Sequence, residues 1–254
     1  MEKHVKKESK PFFVGYLGVP KGLKSFLLKA SLLLFAGFAA GGVLAGVSQD
    51  DPGQAGFRFD FGRQTVSGVI ETMPYPVLHV TKGNDRIATG HTLMLTGQGK
   101  NGVMGDTTTF ANSVVDATGI VLKRGDLDMI QVGRRMRAMK DVEPHQVETV
   151  SLGRWKLSGE ICDGKCYAGA MRPGTGLAHK ACANLCLVGG VPAVFVSSGP
   201  VDGSTFFMLA DKEGNALGDE LYDLTAVLLS AEGEVEKRGN LHLFKIDLDT
   251  VEVQ

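Results

Sequence analysis

The sequence predicts a mostly β protein: a single apolar N-terminal helix followed by two tandem small β-barrels, the second carrying an inserted Cys/His loop and helix. Three observations predict it: an uncharged run near the N-terminus, short alternating apolar runs set between glycine-rich turns, and a block of residues that occurs twice. At 254 residues the chain exceeds the usual size of one domain, which fits two small domains behind a tail.

The tail comes first. Residues 1–25 form a basic cytoplasmic segment, and residues 1–50 together hold seven Lys against three acidic groups, whereas the rest of the chain holds 20 basic and 25 acidic groups. From Ala30 to Val47 eighteen residues carry no charge, and Phe26, Leu27 and Leu28 extend the run, with Lys29 able to snorkel. Residues 26–47 are therefore expected to span a membrane. Lys3, Lys6, Lys7, Lys10, Lys21 and Lys24 precede the run and Asp50 and Asp51 follow it, so the positive-inside rule puts the N-terminus in the cytoplasm and the body outside. A cleaved signal peptide is the competing reading; the long stretch before the run and the lack of a small-x-small site favour the uncleaved anchor. Gly37 and Gly41, then Gly42 and Gly46, have the spacing that lets membrane helices approach closely.

Beyond the helix the composition turns to Gly, Thr, Val and Asp. Strands are expected at 65–70, 76–80, 92–96, 114–122, 129–132, 156–161, 193–196, 205–210, 226–229 and 241–246. The repeat organises them. Gly62-Arg63-Gln64-Thr65-Val66-Ser67-Gly68-Val69-Ile70 reads against Gly153-Arg154-Trp155-Lys156-Leu157-Ser158-Gly159-Glu160-Ile161 at an offset of 91. Further on, Leu93-Met94-Leu95 reads against Phe207-Met208-Leu209, and residues 117–127 read against 231–241, both at an offset of 114. The shared Lys-Arg-Gly-[Asp or Asn]-Leu predicts a tight turn in which Gly takes a positive φ. The expected domains are 57–133 and 151–254, joined by a linker at 134–150 that holds Arg134, Arg135, Arg137 and Lys140. Their size and strand count suit five-stranded barrels of the OB type. Nucleic acid is not an expected partner, because the body is acidic and has one Trp.

The change of offset means 23 additional residues between Ile161 and Phe206, and all four cysteines fall there. The insertion, 162–190, reads Cys162-x3-Cys166, a glycine-rich loop, then His179-x2-Cys182-x3-Cys186. Leu177 to Leu187 lacks Gly and Pro and is expected to be a short helix, which puts His179, Cys182 and Cys186 on one face. With Cys166 they make a Cys3His set suited to zinc, iron or copper, with Cys162 as a substitute or fifth group. Two structural disulfides, pairing Cys182 and Cys186 across to Cys162 and Cys166, are the alternative in an oxidising compartment. A nucleophilic thiol is a third, with His179, Lys165, Arg172 and Lys180 as the basic groups nearby in sequence.

This segment, Gly159-Glu160-Ile161-Cys162-Asp163-Gly164-Lys165-Cys166-Tyr167 with His179-Lys180-Ala181-Cys182-Ala183-Asn184-Leu185-Cys186, resembles uncharacterised bacterial secreted or membrane-anchored proteins. Those carry Gly-Glu-x-x-Asp-x-x-Cys-Tyr followed by His-x2-Cys-Ala-x2-Cys. The resemblance covers about 35 residues and implies that Cys166, His179, Cys182 and Cys186 form the shared unit, with Cys162 extra. It also implies a place beside periplasmic redox systems. The expectation is a single-pass inner-membrane protein with a periplasmic body, acting as an accessory or electron-transfer component rather than an enzyme. The alternatives are an assembly module whose disulfides hold the loop while its barrels bind a protein partner, and a thiol-dependent enzyme.

Elsewhere chemistry is sparse. Gly97-Gln98-Gly99-Lys100 is expected to be a hairpin tip rather than a phosphate cradle, His79 and His91 core or edge histidines, and Asp163 an exposed turn residue or a partner of His179. Met171 and Tyr167 are expected to pack the loop.

Overall fold

A computed structural model of the chain describes residues 18–47, 55–103, 107–111, 113–125, 127–133, 136–139 and 147–254. The basic residues Lys3 to Lys10, the acidic pair Asp50 and Asp51, and Arg134, Arg135 and Lys140 lie outside them. Helix α1 runs Lys21–Val47, 27 residues with no buried side chain. At about 1.5 Å per residue it is longer than the hydrocarbon core of a bilayer, and it is the one described helix apolar enough to cross a membrane.

The body, Pro52–Gln254, is one unit of two sheets. The first comprises β1 (Gly56–Phe57), β2 (Gln64–Glu71), β3 (Val77–Lys82), β4 (Thr92–Thr96), β5 (Val114–Arg124), β6 (Leu127–Val132) and β7 (Arg137–Ala138). Within it β2–β3, β3–β4, β5–β6 and β5–β2 are antiparallel and β4–β6 parallel, while β1 and β7 flank β5. The second comprises β8 (Thr149–Asp163), β9 (Ala193–Val201), β10 (Ser204–Ala210), β11 (Leu228–Arg238) and β12 (Leu241–Val253), a closed barrel with β10–β12 parallel and the other pairs antiparallel. Residues 137–138 and 149–150 of the expected linker thus belong to strands.

The registers of the two sheets run at the offsets read in the sequence. Gly68 pairs with Val115 as Gly159 pairs with Leu229, and Met94 with Met129 as Met208 with Leu243. The third strands reveal a further shift: Val77 faces Met94 as Val194 faces Met208, an offset of 117. The insertion between β8 and β9 is therefore 26 residues rather than 23, offset by three fewer between β9 and β10. At the predicted turns Gly125 and Gly239 have φ of 55° and 62°.

Four strands ran well beyond expectation: β8, β9, β11 and β12. In β11, Ala231, Gly233 and Val235 are turned inward between exposed or half-buried Glu232, Glu234 and Glu236. An alternation whose apolar members are Ala and Gly carries little hydrophobic signal, which is why the expectation stopped at Leu229.

The continuous apolar runs Thr92–Thr96 and Ser204–Ala210 are buried on both faces, because the sheets pack on each other. Leu93 and Leu95 fill the first sheet's interior and Phe207 and Leu209 the second's. Between them Met94, Leu127 and Met129 meet Met208, Leu241 and Leu243 in one shared cluster, with Val77, Val194 and Phe206. Apart from Phe206, these are the same positions in each half. Each such side chain contributes roughly 1.5–3 kcal/mol by leaving water, a useful gain for units too small to bury much core alone.

Candidate metal and thiol site

The insertion begins where β8 ends. Successive side chains on a strand point to opposite faces, so Cys162 and Asp163 part company. Cys162 enters the shared core, its thiol 3.2 Å from Glu160 Oε1, and burial, with Glu160 beside it, pushes that thiol well up. Asp163 turns the other way and is fully buried. Cys166 follows in a tight turn, Cys166–Ala170, which bends at Gly169. A Cβ on Gly169 would lie 2.1 Å from the backbone of Gly56. Tyr167 packs as expected, stacked on Phe206 at 6.2 Å beneath Arg124, whereas Met171 is largely exposed.

A single turn at Leu177–His179 leads into α2 (Lys180–Val188), so the expected helix is present. Cys182 and Cys186, four residues apart, share its inward face. The helix ends as Gly190, with φ 84°, donates to Leu187 O and Val191 donates to Cys186 O.

Cys166, His179 and Cys182 present ligand atoms within 4.8 Å of one another, as do Asp163, Cys166 and Cys186. Cys166 belongs to both groups: it lies with His179 and Cys182 in one and with Asp163 and Cys186 in the other, while Cys162 is in neither. Asp163 is neither exposed nor idle: Oδ1 accepts from the Cys166 N–H at 2.8 Å, and Oδ2 accepts from His179 Nε2 at 3.1 Å. That bond leaves His179 Nδ1 as the ring's lone-pair donor. The Cys166 and Cys186 sulfurs are 3.9 Å apart, and the hydrogen bond between them raises Cys166 and lowers Cys186. All four cysteines are thiols, three buried and Cys182 half-buried. Pairing in two disulfides would require Cys162 to leave its core, so this arrangement does not fit that alternative.

The sequence reading missed the contribution of the first half. Residues 97–103 leave β4 without returning to a paired strand, so they are no hairpin tip; they clasp the insertion. Lys100 Nζ donates to Cys182 Sγ at 2.6 Å and lies 3.9 Å from Cys186 Sγ, and the bond to Cys182 raises the lysine. Lys165, almost fully buried and lowered by desolvation, donates to Gly97 O at 2.6 Å and Gly99 O at 2.8 Å. Here carbonyls receive a cation, the reverse of a phosphate cradle. The clasp is tight: Gly102 N donates to Gly189 O at 2.8 Å, and a Cβ on Gly189 would lie 1.9 Å from Lys100 O.

The other histidines take separate partners. His79 lies between Glu71 Oε2 at 2.9 Å and Thr92 Oγ1 at 3.1 Å, and His91 bonds Asp128. No family model matches the chain, and no curated protein or solved structure matches it either.

Proposed function

We propose that this is a membrane-anchored accessory or electron-transfer component whose body, a tandem of two OB-like barrels, holds one metal ion through Cys166, His179, Cys182 and Cys186. The reading is carried by Cys166, whose sulfur lies within 4.8 Å of ligand atoms of His179 and Cys182 in one group and of Cys186 in another. Three sulfurs and an imidazole form a soft set that suits zinc, iron or copper. Asp163 orients the imidazole, and Lys100 and Lys165 offset the negative charge that thiolate ligands bring. Iron or copper would supply one-electron chemistry; zinc would make the centre structural. The common pairing order of the two sheets, with one parallel pair in each and registers at the repeat offsets, supports the duplicated OB-like architecture. The apolar helix and its flanking lysines support an inner-membrane anchor with the body in the periplasm.

The test is elemental analysis and an absorption spectrum of the full-length chain, purified in detergent without chelator or reductant. One metal per chain, lost in His179→Ala and Cys182→Ala, is the expected result. No metal in the wild type would overturn the proposal.

A second reading rests on the Cys166 and Cys186 sulfurs at 3.9 Å and on Lys100 beside half-buried Cys182: a thiol redox site in which Cys182 reacts first. Absence of metal together with rapid labelling of one thiol would favour it.

A further inference from the structure

Where the two halves meet, a cavity of about 320 Å³ shares no residue with the cysteine site. Each half contributes a carboxylate held between a lysine and a histidine. In the first, Asp128 accepts from Lys123 Nζ at 2.9 Å and from His91. In the second, Asp202 accepts from Lys237 Nζ at 2.6 Å and from His242 Nε2 at 3.2 Å.

The repeat explains the likeness. Lys123 lies opposite Asp128 across β5–β6, and Lys237 opposite His242 across β11–β12, at the same register positions. The acid and the histidine have exchanged places: His91 precedes β4, while Asp202, at φ 49°, precedes β10 in a turn with Gly203. Exchange of both partners keeps the same three groups at each side of the cavity.

Counting donors and acceptors indicates what the cavity would take. Each lysine ammonium has three donors and spends only part of them on its aspartate. Asn240 Oδ1 accepts from Thr92 N at 2.5 Å, which directs its amide NH2 to His91 Nδ1 at 3.5 Å and leaves that group a spare hydrogen. Ser204 Oγ is already engaged with Phe206. Among these groups Asp128 has both oxygens engaged, and Asp202 Oδ1 and His242 Nδ1 are the acceptors without a bond to them, fewer than the spare hydrogens of Lys123, Lys237 and Asn240. The lining therefore offers more donors than acceptors, at a size suited to a small molecule.

We propose that this cavity binds a small oxyanion-bearing molecule, a phosphate or carboxylate compound, through Lys123, Lys237 and Asn240. The metal site plays no part in it, so the two proposals stand or fall separately.

The test is calorimetric titration of the full-length chain in detergent, at low salt, with inorganic phosphate and with succinate. Saturable binding of either anion is expected, weakened at least tenfold in Lys237→Met and lost in the Lys123→Met/Lys237→Met double variant. Lys237→Arg should retain it. A measurement on the wild type guards against misfolded variants: imidazole NMR signals of His91 and His242 should shift with added anion while those of His79 and His179 stay put. Absence of saturable binding with both anions, affinity unchanged in the double variant, or no selective shift of His91 and His242 would overturn the proposal.

Discussion

Asp163→Ala should destabilise the body by about 3–5 kcal/mol, because the side chain has no exposed surface and both its oxygens are in use. The two bonds, from the Cys166 N–H at 2.8 Å and from His179 Nε2 at 3.1 Å, are both lost, and each buried donor left without its acceptor costs about 1–3 kcal/mol. Their loss leaves a buried amide and a buried imidazole without partners. Asn at the same position keeps the shape and can still accept from Cys166, so Asp163→Asn should cost about half as much. Urea unfolding followed by the fluorescence of Trp155, which lies in β8 of the same barrel, reads the difference directly. An Asp163→Ala midpoint within about 1 kcal/mol of wild type would refute the claim that this carboxylate anchors the site.

Three further outcomes follow from close contacts and burial. Gly189→Ala places a Cβ 1.9 Å from Lys100 O and should cost about 1–3 kcal/mol in the same unfolding assay, whereas Gly199→Ala, with nothing within 4 Å, should change stability by less than about 0.5 kcal/mol. Lys165→Met retains the stem but strands the carbonyls of Gly97 and Gly99, so hydrogen exchange should quicken around residues 97–103 while β4 stays protected; unchanged exchange would count against the clasp. Burial raises Tyr75 to about 12, above its ordinary value near 10. The folded state therefore prefers the neutral phenol: its contribution is complete below about pH 10 and is lost as pH rises from there towards 12, up to roughly 3 kcal/mol. Tyr75→Phe should flatten the alkaline limb of the stability curve, and an unaltered limb would exclude this residue as its cause.

Much was legible in the primary structure because it depends on short-range pattern. An eighteen-residue run without charge, alternating apolar residues in β2, β5 and β6, and the Lys-Arg-Gly turns each carry their signal within a few residues. The helix bearing Cys182 and Cys186 was legible for the same reason. Length was harder to read: β11 alternates Ala and Gly with Glu, and the paired neighbours β8 and β12 supply the burial that its own side chains do not announce.

The sequence by itself determined the apolar helix, the repeat with its two main offsets, the insertion, and the helix that carries Cys182 and Cys186. Only the tertiary structure brought Lys100 to Cys182 from 82 residues away, buried Asp163 against His179, and turned Cys162 into the shared core. The same holds for the cavity between Lys123 and Lys237. The physical reason is common to all of these. A side chain's partner across a fold is set by how two sheets pack and by the strand face from which it projects, and neither leaves a trace in local spacing.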